Sequence, residues 1–185
     1  MISVVMPCYL GNYSNAATGR PEKLRRAIES FLSQGIGELI IVPDGCSETV
    51  NVASEYPVTC LYPIPKSVPF SGEPRNVGIK AAKYDYIAYL DSDDVFGESH
   101  LVKLTEHLDA DWLWWDDYVD WDRRQVILQC GRIGTSCIAH KKSLGVVWTD
   151  GYAHDWRVVE QLMRYPGKKI EAHYRVMHIP GVLDI

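Results

Sequence analysis

Apolar and polar residues follow one another along the first half of the chain in a pattern that predicts short buried strands separated by helices. The apolar runs are too short for helices and stop at Pro7, Pro43 and Asp91, which is typical of strands in a parallel sheet. Between them, apolar residues recur at helical spacing, as they do from Leu24 to Leu32. The predicted strands cover residues 2–6, 38–42, 58–62 and 86–90, and the predicted helices cover residues 24–32, 47–55 and 75–83.

The order of these elements indicates the fold class. Strand, helix and strand alternate, which favours an α/β fold with a mostly parallel central sheet. Sheets of this kind bind ligands beyond the carboxyl ends of their strands. Asp44 and the acidic residues at 91–94 fall at such ends, so we expect a binding site there.

The second half of the chain has a less regular pattern. No internal repeat, low-complexity segment or linker interrupts it, so we expect one domain rather than two. Asp116 and Asp117 follow a predicted strand, where they could touch hydroxyl groups of a ligand. Trp112, Trp114 and Trp115 are expected to furnish core rather than to stack on sugar. The predicted elements are a helix at 101–108, a strand at 112–115, further strands within 126–138 and a helix at 155–164.

Asp91 and Asp93 are the most informative pair of polar residues. They follow the apolar run at 86–90 directly, and one small residue, Ser92, separates them. Successive side chains of an extended chain alternate sides, so the two carboxylates project in the same direction if the backbone stays extended. Mg²⁺ and Mn²⁺ favour such oxygen ligands and commonly complete their coordination with water and substrate phosphate. The alternative is an acidic turn that ends the strand.

Composition narrows the range of partners. The 185 residues carry a formal net charge of −5, with a pI near 5.6, which argues against nucleic acid or an anionic membrane as the principal partner. Five cysteines without the paired short spacing of a zinc site are expected to be reduced. No apolar run reaches bilayer length, and no secretory signal opens the chain, so we expect a cytoplasmic protein without an integral membrane segment.

Four elements, taken in order, resemble those of the inverting glycosyltransferases of family 2, which have the GT-A fold. The likeness covers nearly the whole chain and implies a Rossmann-like three-layer sandwich. It implies a single domain at 1–185, with a nucleotide-binding half at 1–98 and an acceptor-side half at 99–185. The elements are the first strand and its loop at 4–9, the second strand at 39–45, an Arg-Asn-x-Gly helix start at 74–79 and the DxD motif at 91–93.

The resemblance also implies roles for the residues that contact the donor nucleotide. Pro7, Tyr9 and Asp44 match the positions that hold the nucleobase, and a carboxylate can accept the imide N–H of uracil. Arg75 would contact the nucleotide. Asn76 would either contact it or cap the helix that begins there.

A second group of residues matches the positions that bind the metal ion and the diphosphate in this family. Asp91 and Ser92 match donor-binding positions, and Asp91 and Asp93 match the ligands of Mn²⁺ or Mg²⁺. Asp94 is expected to support the loop. His178 matches a late position at which a histidine can reach the metal, as neutral imidazole does with Mn²⁺.

The candidate general base lies in the second half. Asp155 matches the family's Glu-Asp motif at a helix start, with His154 in the place of Glu. Its carboxylate would take the proton of the acceptor hydroxyl, although an aspartate at this place could instead be a helix N-cap. The resemblance places Asp44, Asp93 and Asp155 around one cavity.

The activity that follows is the transfer of a sugar from a UDP-sugar donor to a hydroxyl acceptor such as a glycan, a lipid-linked glycan or a small molecule. Two alternatives stay open. A nucleotidyltransferase acting on a sugar phosphate would use a similar scaffold, although residues 11–19 contain no lysine for a phosphate loop. A sugar-nucleotide-binding domain without catalysis is the other, because little chain follows His178.

Overall fold

A sheet of seven strands lies at the centre of the molecule. The computed structural model describes residues 1–11, 18–68, 70–119, 121–179 and 183–184, with side chains as far as residue 177. The strands are β1 (Ile2–Cys8), β2 (Glu38–Pro43), β3 (Thr59–Cys60), β4 (Tyr86–Tyr89), β5 (Val95–Phe96), β6 (Trp112–Trp114), β7 (Asp117–Val119), β8 (Asp122–Arg124), β9 (Ile138–Lys141), β10 (Gly167–Lys169), β11 (Tyr174–Val176), β12 (His178–Ile179) and β13 (Leu183–Asp184). The helices are α1 (Arg20–Leu32), α2 (Ser47–Ala53), α3 (Glu73–Ala81), α4 (His100–Thr105) and α5 (His154–Leu162), with short 3₁₀ helices at Thr135–Cys137 and Lys142–Leu144.

The central sheet has the order β3-β2-β1-β4-β9-β6-β10. Neighbouring strands are parallel except at β9, which is antiparallel to both β4 and β6. The predicted α/β fold with a mostly parallel sheet is therefore confirmed. Parallel strands leave their carboxyl ends at a common edge, and β1, β2 and β4 do so side by side.

Helices cover both faces of this sheet, because its strands are apolar on both sides. Alternate residues of β1 point to opposite faces, so Val4 packs in one core cluster and Val5 in the other. The first cluster includes Ile28 of α1 and Leu104 of α4, and the second includes Val159 of α5. The result is the predicted three-layer sandwich.

A second sheet, with the order β5-β11-β7-β8, is not predicted by the sequence. Its strands are two or three residues long, too short to give a periodic signal. Strand β11 pairs with β5 and with β7. Late residues of the chain are thereby brought against the loop that follows β4.

Three local predictions are wrong. Pro7 does not end β1, because β4 pairs only as far as Val5 and leaves no ladder partner on that side of the proline. Strand β3 is much shorter than predicted. Residues 126–134 contain no strand, since the turn hydrogen bonds from Ile127 N–H to Arg132 O and from Arg132 N–H to Gln129 O take up their backbone groups.

Two other predictions are confirmed. The indoles of Trp112 and Trp115 are buried in the core, and the partly buried Trp114 packs against it. All five cysteines are free. Among the described residues, none of the helices has the length and apolar character needed to cross a membrane.

Candidate active site

A cavity of about 200 Å³ lies beyond the carboxyl ends of β1 and β4. The register of these parallel strands pairs Val5 with Tyr89, so residues two positions further along each strand emerge next to one another. The cavity contains five of the residues predicted for donor and metal binding. Its described lining is Pro7, Arg20, Arg75, Asp91, Ser92 and Asp93.

Arg75 reaches this cavity because α3 packs closely on β1. A Cβ atom at Gly78 would lie 2.4 Å from Val5 Cγ1, so glycine allows the close approach of helix and strand. Arg75 stands in the first turn of α3. Its guanidinium therefore extends over the strand ends, with Nη2 3.5 Å from Asp91 Oδ1.

Tyr174 holds the loop that carries the acidic residues. Its hydroxyl accepts the N–H of Asp91 (3.1 Å) and donates to Oδ2 of the buried Asp94 (2.9 Å). Asp94 Oδ1 accepts the N–H of Met177 (2.8 Å). Asp94 supports the loop, as the sequence predicts, and the carboxylates of Asp91 and Asp93 are left to line the cavity. No local motif marks Tyr174, which lies 83 residues from Asp91.

The site disfavours the ionised form of the Asp91 carboxyl group. Burial raises its pKa, Arg75 lowers it, and the negative charges of Asp93 and Asp155 raise it again, to about 6. An aspartate with this pKa holds a proton far more readily than one in water. The site therefore favours a positive charge beside Asp91.

Asp91→Asn is expected to stabilise the protein in the absence of ligand. Between an ordinary pKa near 4 and the folded value near 6, the folded state binds more protons than the unfolded state. The stability of the wild-type protein therefore rises as pH falls through 6. Above pH 6 the folded protein bears the full free-energy cost of holding Asp91 ionised. Removing the charge of Asp91 should contribute about 1 kcal/mol, or about 2–4 °C in melting temperature, a figure reduced for solvent screening because 35% of the side chain is exposed.

Thermal melts from pH 4 to pH 8 in chelator test this expectation. The gain of Asp91→Asn over wild type should be present at pH 8 and shrink towards pH 4. Asp109→Asn, at an exposed aspartate outside the cavity, serves as the control and should show neither trend. A variant that melts below wild type throughout would mean that the contact with Arg75 outweighs burial.

The indole ring of Trp148 packs against the guanidinium group of Arg75. The guanidinium carbon of Arg75 lies 4.9 Å from the centre of the indole ring. The indole N–H donates to the Tyr89 hydroxyl (2.9 Å), which lies 2.7 Å from His140 Nε2. These groups are buried, so the platform under Arg75 has one defined orientation.

Asn76 fixes the backbone of the same tryptophan. Its Nδ2 donates to Trp148 O (2.8 Å), and its Oδ1 accepts Trp148 N–H (2.9 Å). Helix α3 begins after Gly72 without a side-chain cap, so Asn76 is not the cap that the sequence suggests. The side-chain amide of Asn76 is hydrogen-bonded to the backbone of Trp148. A contact between Asn76 and the nucleotide stays a prediction.

Asn76→Ala is expected to lower stability rather than nucleotide affinity alone. The substitution leaves the N–H and C=O of Trp148 without partners, at about 1–3 kcal/mol each. We expect the melting temperature to fall by about 5–15 °C. Asn51→Ala, at an exposed position of α2, is the control. Loss of UDP affinity with an unchanged melting temperature would instead support a direct nucleotide contact.

Asp44 lies beyond the end of β2, and its carboxylate is already occupied. Oδ2 pairs with Lys66 Nζ (2.7 Å), while Oδ1 accepts the N–H and the hydroxyl of Ser67 (2.7 and 2.8 Å). Burial raises the pKa of Asp44, but Lys66 and Ser67 together hold it below its usual range. The Lys66 ammonium also lies 4.1 Å from the centre of the Tyr9 ring. These contacts bring Asp44 and Tyr9 into one cluster through Lys66.

Asp155 lies in the first turn of α5. Ala153, the residue before the helix, takes the left-handed conformation (φ 64°). The helix has no side-chain cap, so Asp155 is not an N-cap. Its Oδ1 accepts a hydrogen bond from the Thr135 hydroxyl and lies 3.1 Å from His154 Nε2. Burial raises the pKa of Asp155, yet His154, Thr135 and Arg75 outweigh it and leave the pKa below its usual range. The group is a carboxylate at neutral pH.

The prediction of one cavity around Asp44, Asp93 and Asp155 is wrong. Asp155 lines a separate cavity of about 480 Å³, and Asp44 lines neither. Each of these two carboxylates has its own partners, which are Lys66 and Ser67 for Asp44 and Thr135 and His154 for Asp155. Arg75 is within electrostatic reach of both carboxylates, since its charge lowers the pKa of Asp91 and of Asp155.

The sequence of the chain matches a known protein family. The model of glycosyl transferase family 2 matches residues 3–115, from the first strand through the acidic loop. The chain belongs to glycosyl transferase family 2. The resemblance of its motifs to this family is thereby confirmed.

The chain is similar in sequence to two bacterial proteins. Poly(ribitol-phosphate) beta-N-acetylglucosaminyltransferase TarP of Staphylococcus aureus is 34% identical over 111 residues, which are 56% of this chain and 31% of that protein. Succinoglycan biosynthesis protein ExoO of Rhizobium meliloti is 34% identical over 103 residues, 51% of this chain and 28% of that protein. The chain thus aligns with about three tenths of the length of these relatives.

Solved structures support the GT-A fold assignment. S. aureus TarS 1-349 in complex with UDP-GlcNAc superposes with a TM-score of 0.73 at 16% identity, over 95% of this chain and 58% of TarS 1-349. A nucleotidyl transferase from Methanothermobacter superposes with a TM-score of 0.66 at 19% identity, over 93% and 87% of the two chains. At these identities the two likenesses show the fold alone.

The predicted metal ligands are only partly described. The backbone of His178 lies in β12, but its side chain is outside the described residues. Among the described residues, no three His, Cys, Asp or Glu side chains come together to hold a metal ion. Asp91 and Asp93 line one cavity and fit a Mg²⁺ or Mn²⁺ ion whose shell is completed by phosphate oxygens and water.

Proposed function

We propose that the protein is a metal-dependent inverting glycosyltransferase that moves a sugar from a UDP-sugar to a hydroxyl acceptor. One observation carries the proposal. Two carboxylates, Asp91 and Asp93, share a cavity with two guanidinium groups, those of Arg20 and Arg75. Such a mixture suits a diphosphate that is bound together with a cation.

Contacts within the protein position both arginines, and phosphate oxygens of the donor would be their ligands. Arg20 donates from Nη1 to Gly11 O (2.6 Å), and Arg75 rests on Trp148. Nε of Arg75 is buried and has no hydrogen-bond partner among the described residues. A buried N–H of this kind costs free energy unless a ligand accepts it. A diphosphate oxygen beside Arg75 would do so.

The names of similar proteins indicate which sugar nucleotide to test first as the donor. TarP is named as an N-acetylglucosaminyltransferase, and TarS 1-349 was crystallised with UDP-GlcNAc. UDP-GlcNAc is therefore the first donor to test. The nucleobase would lie towards Tyr9 and Asp44, and its imide could replace one of the present partners of that carboxylate.

Asp155 is the proposed general base. The acceptor hydroxyl attacks the anomeric carbon from the face opposite the diphosphate, and Asp155 takes its proton as the bond forms. Its two neighbours hold the carboxylate in one orientation and keep it ionised. A metal ion at Asp91 and Asp93 would supply positive charge against the charge that develops on the leaving UDP.

Release of UDP from a panel of UDP-sugars, with Mn²⁺, with Mg²⁺ and with chelator, tests the proposal. We expect UDP release that requires the divalent ion. Pyrophosphate release from UTP and a sugar phosphate would support the nucleotidyltransferase alternative instead. Tight UDP binding without any turnover would favour a domain that binds the donor but does not catalyse.

A further inference from the structure

Trp148 contacts one side chain proposed to bind the donor and another that adjoins the proposed base. The centre of its indole ring lies 4.9 Å from the guanidinium carbon of Arg75 and 5.7 Å from the centre of the His154 imidazole. His154 Nε2 in turn lies 3.1 Å from Asp155 Oδ1. Arg75 and Asp155 line different cavities. One buried indole therefore packs against groups that belong to both of them.

A chain of buried hydrogen bonds fixes the orientation of this indole. His140 Nδ1 lies 3.0 Å from Lys141 O, a carbonyl that can only accept, so this nitrogen carries the ring proton. Burial lowers the pKa of His140 to about 4, so the ring is neutral and its Nε2 accepts. The Tyr89 hydroxyl therefore donates to His140 Nε2 (2.7 Å) and accepts the N–H of Trp148 (2.9 Å). Each donor in the chain has its acceptor, and the indole is held in one orientation.

The imidazole of His154 is enclosed by its neighbours and depends on the indole for one of its contacts. Its Nδ1 lies 3.3 Å from Gly151 O, and its Nε2 faces Asp155. The rings of Trp148 and Phe70 pack against it, with centroids 5.7 and 6.1 Å away. Only 8% of His154 is exposed. A displaced indole would therefore free one side of the imidazole that adjoins the Asp155 carboxylate.

We propose that Trp148 is a positioning residue of the reaction, whose indole sets the guanidinium of Arg75 and the imidazole of His154 in one relative geometry. The inference rests on the proposed function, because it assigns Arg75 to the donor and Asp155 to the base. Trp148 reaches Asp155 only through His154. Displacing the indole should therefore weaken donor binding and slow the chemical step together, although Trp148 lines neither cavity.

Tyr89→Phe tests this proposal, because it removes the acceptor of the indole N–H at a residue that lines neither cavity. With Mn²⁺ present, we expect the dissociation constant of UDP to rise about threefold to tenfold. We expect kcat for UDP release to fall about tenfold to a hundredfold. Trp148→Phe keeps an aromatic ring but loses the N–H, and it should change both quantities in the same directions.

Tyr86→Phe is the matched control, since it makes the same change on the same strand. The Tyr86 hydroxyl donates to Ala110 O (3.3 Å) and contacts neither Trp148 nor a cavity-lining residue. Its kcat and its affinity for UDP should equal those of the wild type. Melting temperatures of all variants set the temperature at which each is fully folded, and Trp148→Phe decides the test if Tyr89→Phe does not fold.

Nuclear magnetic resonance of the His154 ring gives a readout that does not depend on turnover. The ring signals, assigned with His154→Gln, should shift in Tyr89→Phe and stay in place in Tyr86→Phe. Unmoved signals, or wild-type kcat and UDP affinity in folded Tyr89→Phe with a lower melting temperature, would overturn the positioning role alone. A wild-type protein that neither binds nor releases UDP would contradict the proposed function, and the positioning role with it.

Discussion

Asp93→Ala is expected to lose roughly a hundredfold or more of UDP-sugar turnover while remaining folded. The Asp93 carboxylate lines the cavity, and losing one preorganised charge contact costs about this much in comparable enzymes. Its negative charge raises the pKa of both Asp91 and Asp94. Removing that charge relieves repulsion, so the melting temperature should stay level or rise slightly.

Steady-state UDP release with Mn²⁺ measures the effect of Asp93→Ala. Asp109→Ala, an identical change at an exposed aspartate outside the cavity, should retain wild-type turnover. Retained turnover by Asp93→Ala at saturating Mn²⁺ would remove the metal and diphosphate assignment. Arg26 donates to the backbone carbonyl of residue 93 (3.2 Å), a contact that alanine preserves.

Asp155→Asn is expected to lose about 10²- to 10⁴-fold in turnover while binding UDP nearly as wild type does. The amide cannot accept the proton of the acceptor hydroxyl, and general base catalysis contributes about this factor. Asp155 lines the second cavity and acts on the proposed donor cavity through its charge, which raises the pKa of Asp91. The fall should therefore appear mainly in kcat, with a far smaller change in the dissociation constant of UDP.

Two comparisons sharpen the test of Asp155. Glu160→Gln, on an exposed face of the same helix, should retain kcat. In the wild-type protein His154, Thr135 and Arg75 lower the pKa of Asp155 despite burial, so the base should stay ionised when pH falls from 7 to 5. If Asp155→Asn turns over at the wild-type rate, another group is the base.

Much of the donor cavity is predictable from sequence because its residues sit at fixed offsets from strong periodic elements. The apolar runs that end before Pro7 and Asp91 place both residues at one edge of the sheet. Arg75 follows from the helix start after Gly72. In each case local pattern and tertiary position agree, and the family match then supports the same elements.

The remaining features depend on contacts between distant residues. Tyr174 meets Asp91 and Asp94 across a second sheet whose strands are too short to leave a pattern. Lys66 reaches Asp44 from an irregular connection. Asn76 turns to Trp148, 72 residues away. Side-chain chemistry alone does not reveal such partners, so the sequence could not show that Asp91 and Asp155 line different cavities.

Calorimetric titration of the wild-type protein with UDP tests the central claim most directly. The account predicts saturable binding in the presence of Mn²⁺ that is strongly weakened by chelator and by Asp93→Ala. Asp155→Asn should bind nearly as wild type does. An absence of heat with UDP and Mn²⁺, from protein shown to be folded, would contradict the account.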